Sequence, residues 1–109
     1  YNDKNFIIQK EIGHSSWFGF SLIIRNKSII REKLINHLRE NGIETRPIVS
    51  GNIIKNEMIK FFNINNKKST FPNAEFLDKN GFFVGNSHRN LKREITHLRK
   101  TISNFIKKS

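Results

Sequence analysis

The chain has 109 residues, with 20 Lys+Arg against 9 Asp+Glu for a formal charge of +11, and it has no cysteine. A chain of this length makes one domain and buries roughly two-thirds of the surface its unfolded form exposes. The missing thiols exclude a disulfide scaffold, a cysteine-based zinc site and a thiol nucleophile. No apolar run approaches the roughly 20 residues of a membrane span, and no signal-peptide pattern opens the chain, so a soluble cytosolic domain is expected. The first residue is Tyr1 rather than Met, and we expect a piece of something longer.

Charge of this size invites a nucleic-acid reading. A plainer cause competes with it. Ile (17), Asn (15) and Lys (13) make up 45 residues, which is what AT-rich coding writes wherever any polar or apolar side chain serves. The basic residues are also scattered, the longest pure runs being Lys67-Lys68 and Lys107-Lys108. Scattered charge of this kind is usually a solvated surface.

Residues 1–16 are polar around one apolar patch, Phe6-Ile7-Ile8, and read as a lead-in segment or short strand. From Trp17 to Arg25 the period is two. Phe18, Phe20, Leu22 and Ile24 share one face, which predicts a strand with that face buried. From about Ser28 the period lengthens. Ile30, Leu34 and Leu38, with Ile35 beside them, form a helix stripe that leaves Arg31, Lys33 and Glu40 outside. Asn41-Gly42 should close this helix, with Gly42 left-handed and Ile43 packing back.

Ile43 to Val49 predicts a second strand, which Pro47 either confines to an edge or ends. Ser50-Gly51-Asn52 is a turn. A short helix over 55–63 would use Ile54, Met58, Phe61 and Phe62, and 65–69 is a solvated loop. Pro72 suits the first turn of another helix, stopped at Asn80-Gly81, and Phe82-Phe83-Val84 is the third strand. In the last helix Leu91, Ile95, Leu98, Ile102 and Phe105 recur at helical spacing behind Asn90 as N-cap. This order argues for an α+β, two-layer fold: a small, mostly antiparallel sheet with helices on one face.

Chemistry is sparse. His14, His37, His88 and His97 show no metal-ligand spacing with a carboxylate, and a solvent-exposed or structural role is expected for them. No glycine-rich phosphate loop is present. The aromatic strand Trp17-Phe18-Gly19-Phe20 has the residue types that stack RNA bases, although buried core is the plainer reading of Phe18 and Phe20. Glu44 and Arg46 stand two apart on a strand and so share a face. Taken alone they read as a surface pair worth under about 1 kcal/mol. The alternative is that they present an acceptor and a forked donor to a sugar hydroxyl or a phosphate.

Four stretches change the balance: Ser16-Trp17-Phe18-Gly19-Phe20, Asn41 to Pro47, Phe71-Pro72-Asn73-Ala74-Glu75, and Asn80 to Asn86. In this order they resemble the C-terminal small domain of the DegT/DnrJ/StrS-type nucleotide-sugar aminotransferases, over about residues 6–106. Ser50-Gly51-Asn52 is similar to the 3-dehydratase branch, which removes the C3 hydroxyl of a nucleotide-linked 4-keto-6-deoxyhexose. Asn56-Glu57 departs from that branch, which usually carries Gln-Pro at this point.

The resemblance implies a parent enzyme using pyridoxal 5'-phosphate in surface-polysaccharide synthesis. The cofactor, its Schiff-base residue and the phosphate-holding groups would come from a large domain ahead of residues 1–16. Residues 17–109 would form the small domain. Nothing here matches the cofactor motifs, so the segment alone is expected to be silent, with no catalytic residue and no metal. By position, Glu44, Arg46, Ser50, Gly51 and Asn52, together with Trp17 and Asn86, are the implied contacts to a nucleotide-linked deoxysugar. The parent is expected to be a homodimer, with no membrane or nucleic-acid partner. The rival from another class is a free-standing basic α/β module that binds RNA; a gene remnant without a role of its own is the third.

Overall fold

A computed structural model describes residues 3–63 and 70–108; the predicted loop 65–69 lies outside the described residues. Four strands form one antiparallel sheet: β1 (Phe6–Ile8), β2 (Gly19–Ile24), β3 (Thr45–Arg46) and β4 (Gly81–Gly85), in the spatial order β1-β2-β4-β3. Three helices accompany them, α1 (Arg31–Glu40), α2 (Pro72–Asn80) and α3 (Lys92–Lys108). The architecture is the α+β arrangement expected, and the Phe6-Ile7-Ile8 patch is a strand of the sheet.

Register explains the core. Ile24 lies opposite Phe6, Leu22 opposite both Ile8 and Phe82, and Phe20 opposite Val84. These side chains therefore share one face of the sheet. Leu34 and Leu38 of α1, both fully buried, pack against that face, with Leu98, Ile102 and Phe105 of α3 alongside. Burial of each such side chain stabilises the fold by about 1.5–3 kcal/mol.

The end of α1 follows the predicted chemistry. Gly42 has φ +77°, its N–H donates to the Arg39 carbonyl, and the Ile43 N–H donates to the Leu38 carbonyl at 2.9 Å. This is the paired closure that a left-handed glycine permits, and it returns Ile43 to the core. Two histidines tie α1 to α3. His37 Nε2 lies 3.2 Å from the Thr101 carbonyl, with its ring against Phe105, and His97 Nε2 lies 2.8 Å from the Asn41 carbonyl. Of the solvent-exposed or structural roles expected of these two, the structural one is observed.

Several expectations need correction. Phe18 is not core but 85 % exposed, because β2 pairs only from Gly19 onward, leaving Trp17 and Phe18 before the ladder. Ile29 rather than Ile30 enters the core. The helix begins at Arg31, and Ile30, its extended N-cap, falls off the stripe. Arg31 is half-buried, not outside: its Nη1 donates to the carbonyls of Asp78 at 2.5 Å and Gly81 at 3.3 Å.

The strand predicted over Ile43–Val49 pairs only at Thr45–Arg46. It is an edge strand, and Pro47 has no N–H with which to continue the ladder. The helix predicted over 55–63 is two 3₁₀ turns, Ile53–Lys55 and Glu57–Phe61. The side chains of Asn52 and Asn56 each accept the N–H two residues on, which restarts the backbone at Asn56. Met58, Phe61 and Phe62 are left exposed.

Gly81 ends α2 with φ −93°, so its need for glycine is not left-handed backbone. A Cβ there would collide with the Leu77 carbonyl and the Ile48 side chain. Ile95 is 61 % exposed, since a groove opens between the first turns of α3 and the Phe20–Ile43–Val84 surface.

Candidate functional site

The residues singled out from sequence fall into two groups. The first follows β3. Arg46 lies opposite Phe83, on the sheet face away from α1 and α3. Its Nη2 donates to Glu44 Oε1 at 2.8 Å, with both side chains largely in solvent. After Pro47 the chain turns: the Gly51 N–H donates to the Ile48 carbonyl at 2.6 Å, with Val49 at φ 22° and Gly51 at φ 56°. Ser50 is exposed at the apex of this turn.

Asn52 differs from its neighbours in being 8 % exposed. Its Oδ1 accepts the Ile54 N–H, and its Nδ2 donates to Glu75 Oε2 at 3.2 Å. Glu75 Oε1 in turn pairs with Lys55 Nζ at 2.5 Å and Lys79 Nζ at 3.4 Å, while Lys55 also lies 3.8 Å from Asp78. Hydrogen bonds from Lys55 and Asn52 hold the Glu75 carboxyl below its ordinary value. The bond that Lys55 donates to Glu75 holds its amine above its own ordinary value. Gly51 presses on Asp78 so closely that any Cβ would strike that carboxylate.

The second group sits where β2 and β4 begin and end. Asn86 Nδ2 donates to the Trp17 carbonyl at 2.8 Å, and the Trp17 ring stacks on Phe20 with centroids 6.3 Å apart. A groove of about 550 Å³ brings Trp17 and Asn86 together with Glu44, Ile43 and Leu98. On the other face of the sheet, a cleft of about 270 Å³ joins Trp17 and Phe18 to Ile48, Val49 and Phe83. Trp17 is thus common to both hollows, whereas Ser50, Gly51 and Asn52 gather over α2.

Sequence reasoning passed over Glu75, Asp78 and Lys55, which hold the turn. A signal was present: Glu75 and Asp78 stand one turn apart on a short helix and so face the same way. Nothing local pointed to Asn52 as their partner. No cluster of three or more potential metal ligands occurs among the described residues, and no described helix is long and apolar enough to cross a membrane.

No family model matches the chain. Individual relatives do. The GDP-4-keto-6-deoxy-D-mannose 3-dehydratase of Escherichia coli O55:H7 is 48 % identical over 97 residues, which is 87 % of this chain and 25 % of that protein. The protein of the same name from Yersinia pseudotuberculosis is 47 % identical over 93 % of this chain, again 25 % of its own length. The crystal structure of a GDP-4-keto-6-deoxymannose-3-dehydratase variant with bound GDP-perosamine superposes with a TM-score of 0.83 at 45 % identity, over 92 % of this chain and 26 % of that one. The E. coli enzyme with bound hydrated PLP also gives 0.83, at 47 % identity over 90 % of this chain and 25 % of that one. The chain spans about a quarter of the length of the relatives it matches. In sequence and in fold it is homologous to a segment of the GDP-4-keto-6-deoxy-D-mannose 3-dehydratases, the branch that Ser50-Gly51-Asn52 suggested.

Proposed function

We propose that this chain serves as the small, substrate-contacting domain of a pyridoxal-phosphate-dependent 3-dehydratase acting on a GDP-linked 4-keto-6-deoxyhexose. One observation carries the reading: identity close to one-half across nine-tenths of the chain, on the same fold, with enzymes named for that reaction. Residues 1–16 would lead in from the large domain and 17–109 would form the small one. The full enzyme would be a cytoplasmic homodimer supplying surface-polysaccharide synthesis. The RNA-binding rival finds no support among these relatives.

The relatives, one of them seen with PLP bound, are matched over only about a quarter of their length, and the sequence carries none of the cofactor motifs expected of the large domain. We therefore assign the cofactor and the elimination chemistry to the rest of the enzyme. The contribution of this chain is to hold the sugar nucleotide. Arg46 offers a forked donor to the diphosphate, and Glu44 an acceptor for sugar hydroxyls. Their mutual pair is so exposed that exchanging it for a ligand costs under about 1 kcal/mol. Ser50 and the Gly51 backbone present the turn to the sugar on the side that Asp78 does not fill, Asn52 sets the shape of the turn, and Trp17 with Asn86 closes the far end.

The test is a chimera in which this chain replaces the homologous segment of the E. coli enzyme. With the cofactor, glutamate as amino donor and substrate present, it should eliminate the C3 hydroxyl of GDP-4-keto-6-deoxymannose, and Arg46→Ala should raise KM at least tenfold. A chimera that folds and binds the cofactor yet leaves the substrate intact refutes the reading.

A further inference from the structure

We infer that Glu75 is a positioning residue for the substrate turn, acting through Asn52; the substrate part of this inference rests on the function proposed above. The helix that carries Glu75 contributes no fully buried residue, its Phe76 and Leu77 being only partly covered, so polar contacts take a large share in fixing where α2 sits. On one side, Arg31 of α1 donates from Nη1 to the carbonyls of Asp78 and Gly81. On the other, Glu75 reaches the turn by two routes: Oε2 accepts from Asn52 Nδ2, and Oε1 accepts from Lys55 Nζ. Asp78 fills the space in front of Gly51. The C-terminal end of the turn is thereby held twice, at Gly51 by contact and at Asn52 by hydrogen bond.

The two routes are unequal. Lys55 is half exposed, and ion pairs in solvent contribute little. Asn52 is 8 % exposed, and loss of a partner by a buried amide costs its desolvation. Asn52 is also fully oriented, because its Oδ1 is spent on the Ile54 N–H and its Nδ2 on Glu75. Rotating that amide would break both bonds together. The residue therefore transmits the position of α2 to the backbone one and two residues earlier, where Gly51 and Ser50 stand. A turn with Val49 and Gly51 both at positive φ has little intrinsic preference to hold itself. Besides its own Gly51 to Ile48 bond, the carboxylate of Glu75 is what holds its shape against α2.

The experiment uses the whole chain and three variants, followed by amide NMR. Glu75→Ala should shift and broaden the Ser50 and Gly51 resonances while those of Leu34 and Leu38 in the core stay in place. Glu75→Gln, which keeps the length and one acceptor for Asn52, should restore them. Asn52→Ser keeps a cap for Ile54 but cannot reach Glu75, and should reproduce the Glu75→Ala spectrum; it also serves if Glu75→Ala does not fold. In the chimeric enzyme, Glu75→Ala should raise KM five- to twentyfold with kcat changed less than twofold, and Glu75→Gln should lie within twofold of the parent. Unmoved turn resonances in Glu75→Ala and Asn52→Ser overturn the positioning role. A chimera inactive with Glu75 intact, while the turn still responds to Glu75→Ala, refutes the functional reading and leaves the positioning role standing.

Discussion

At the scale of single residues, the carboxylate of Glu75 shows how a surface ion pair and a buried amide differ in consequence. Hydrogen bonds from Lys55 and Asn52 depress its proton affinity below the usual 4.5, and the same contact raises that of Lys55 above the usual 10.5. The signs fix the pH window. A depressed acid contributes its stabilisation above the unfolded value and loses it as pH falls through the lower folded value. A raised base contributes below its unfolded value and loses it as pH climbs through the higher folded one. The hold on the turn should therefore be constant from about pH 4.5 to 10.5 and fail only outside that range. Titration of the Asn52 side-chain amide by NMR checks this. Its shift should move with a midpoint below 4.5, and Glu75→Gln should abolish the movement even though Asp78, Lys55 and Lys79 remain close by. A midpoint at or above 4.5 would mean that no such bond depresses the acid.

At the scale of elements, what was legible was what depends on near neighbours in sequence. The stop at Asn41-Gly42, the Pro72 start of α2 and the strand at β2 are decided within a few residues, and each appears in the fold, although Ile23 on the second face of β2 is buried as well. Where partners lie far apart along the chain, local pattern misled. Phe18 continues the alternation of β2 but has no strand beside it, and Ile30 continues the helical period one residue before the helix begins. Arg31 looked external because its acceptors, Asp78 and Gly81, are nearly fifty positions away. The candidate site was half legible for the same reason: Glu44 and Arg46 pair as their spacing implied, whereas the link from Asn52 to Glu75 spans 23 positions. The stripe of α1 is the element on which the rest depends. Leu34 and Leu38 are wholly buried against the sheet and α3. Leu38→Ala should cost about 2–5 kcal/mol, the range for a deleted core leucine, and denaturant unfolding should show it as a lower midpoint. A loss under 1 kcal/mol would mean that the α1 face is not the packed core.

At the scale of the whole molecule, the +11 charge is the feature that a sequence reader notices first and that the fold explains least. Part of it lies on α3, where Lys92, Arg93 and Lys100 border a hollow with Asn90, Thr96 and His97. An RNA-binding sheet would combine such cations with exposed aromatics on the same surface. Here the exposed Phe18 meets Phe83 on the face away from α1 and α3, while these cations lie on α3. Stacking on Phe18 and phosphate contact at α3 are therefore divided between two sides of the molecule, with Arg46 a cation on the Phe83 face and Lys60 over the exposed Phe61 ring. Binding to RNA should then be electrostatic only, with log K falling linearly in log salt by about 0.7 per phosphate contacted on a single strand. Retardation of single-stranded RNA in a gel should be visible at 50 mM salt, vanish by about 200 mM, and be indifferent to sequence. Lys92→Ala, Arg93→Ala and Lys100→Ala combined should flatten the slope, and Phe18→Ala should leave affinity unchanged. Tight binding that survives 200 mM salt and is lost in Phe18→Ala would instead make the aromatic strand a base-stacking surface. That outcome would restore the RNA-binding reading against the sugar-nucleotide one.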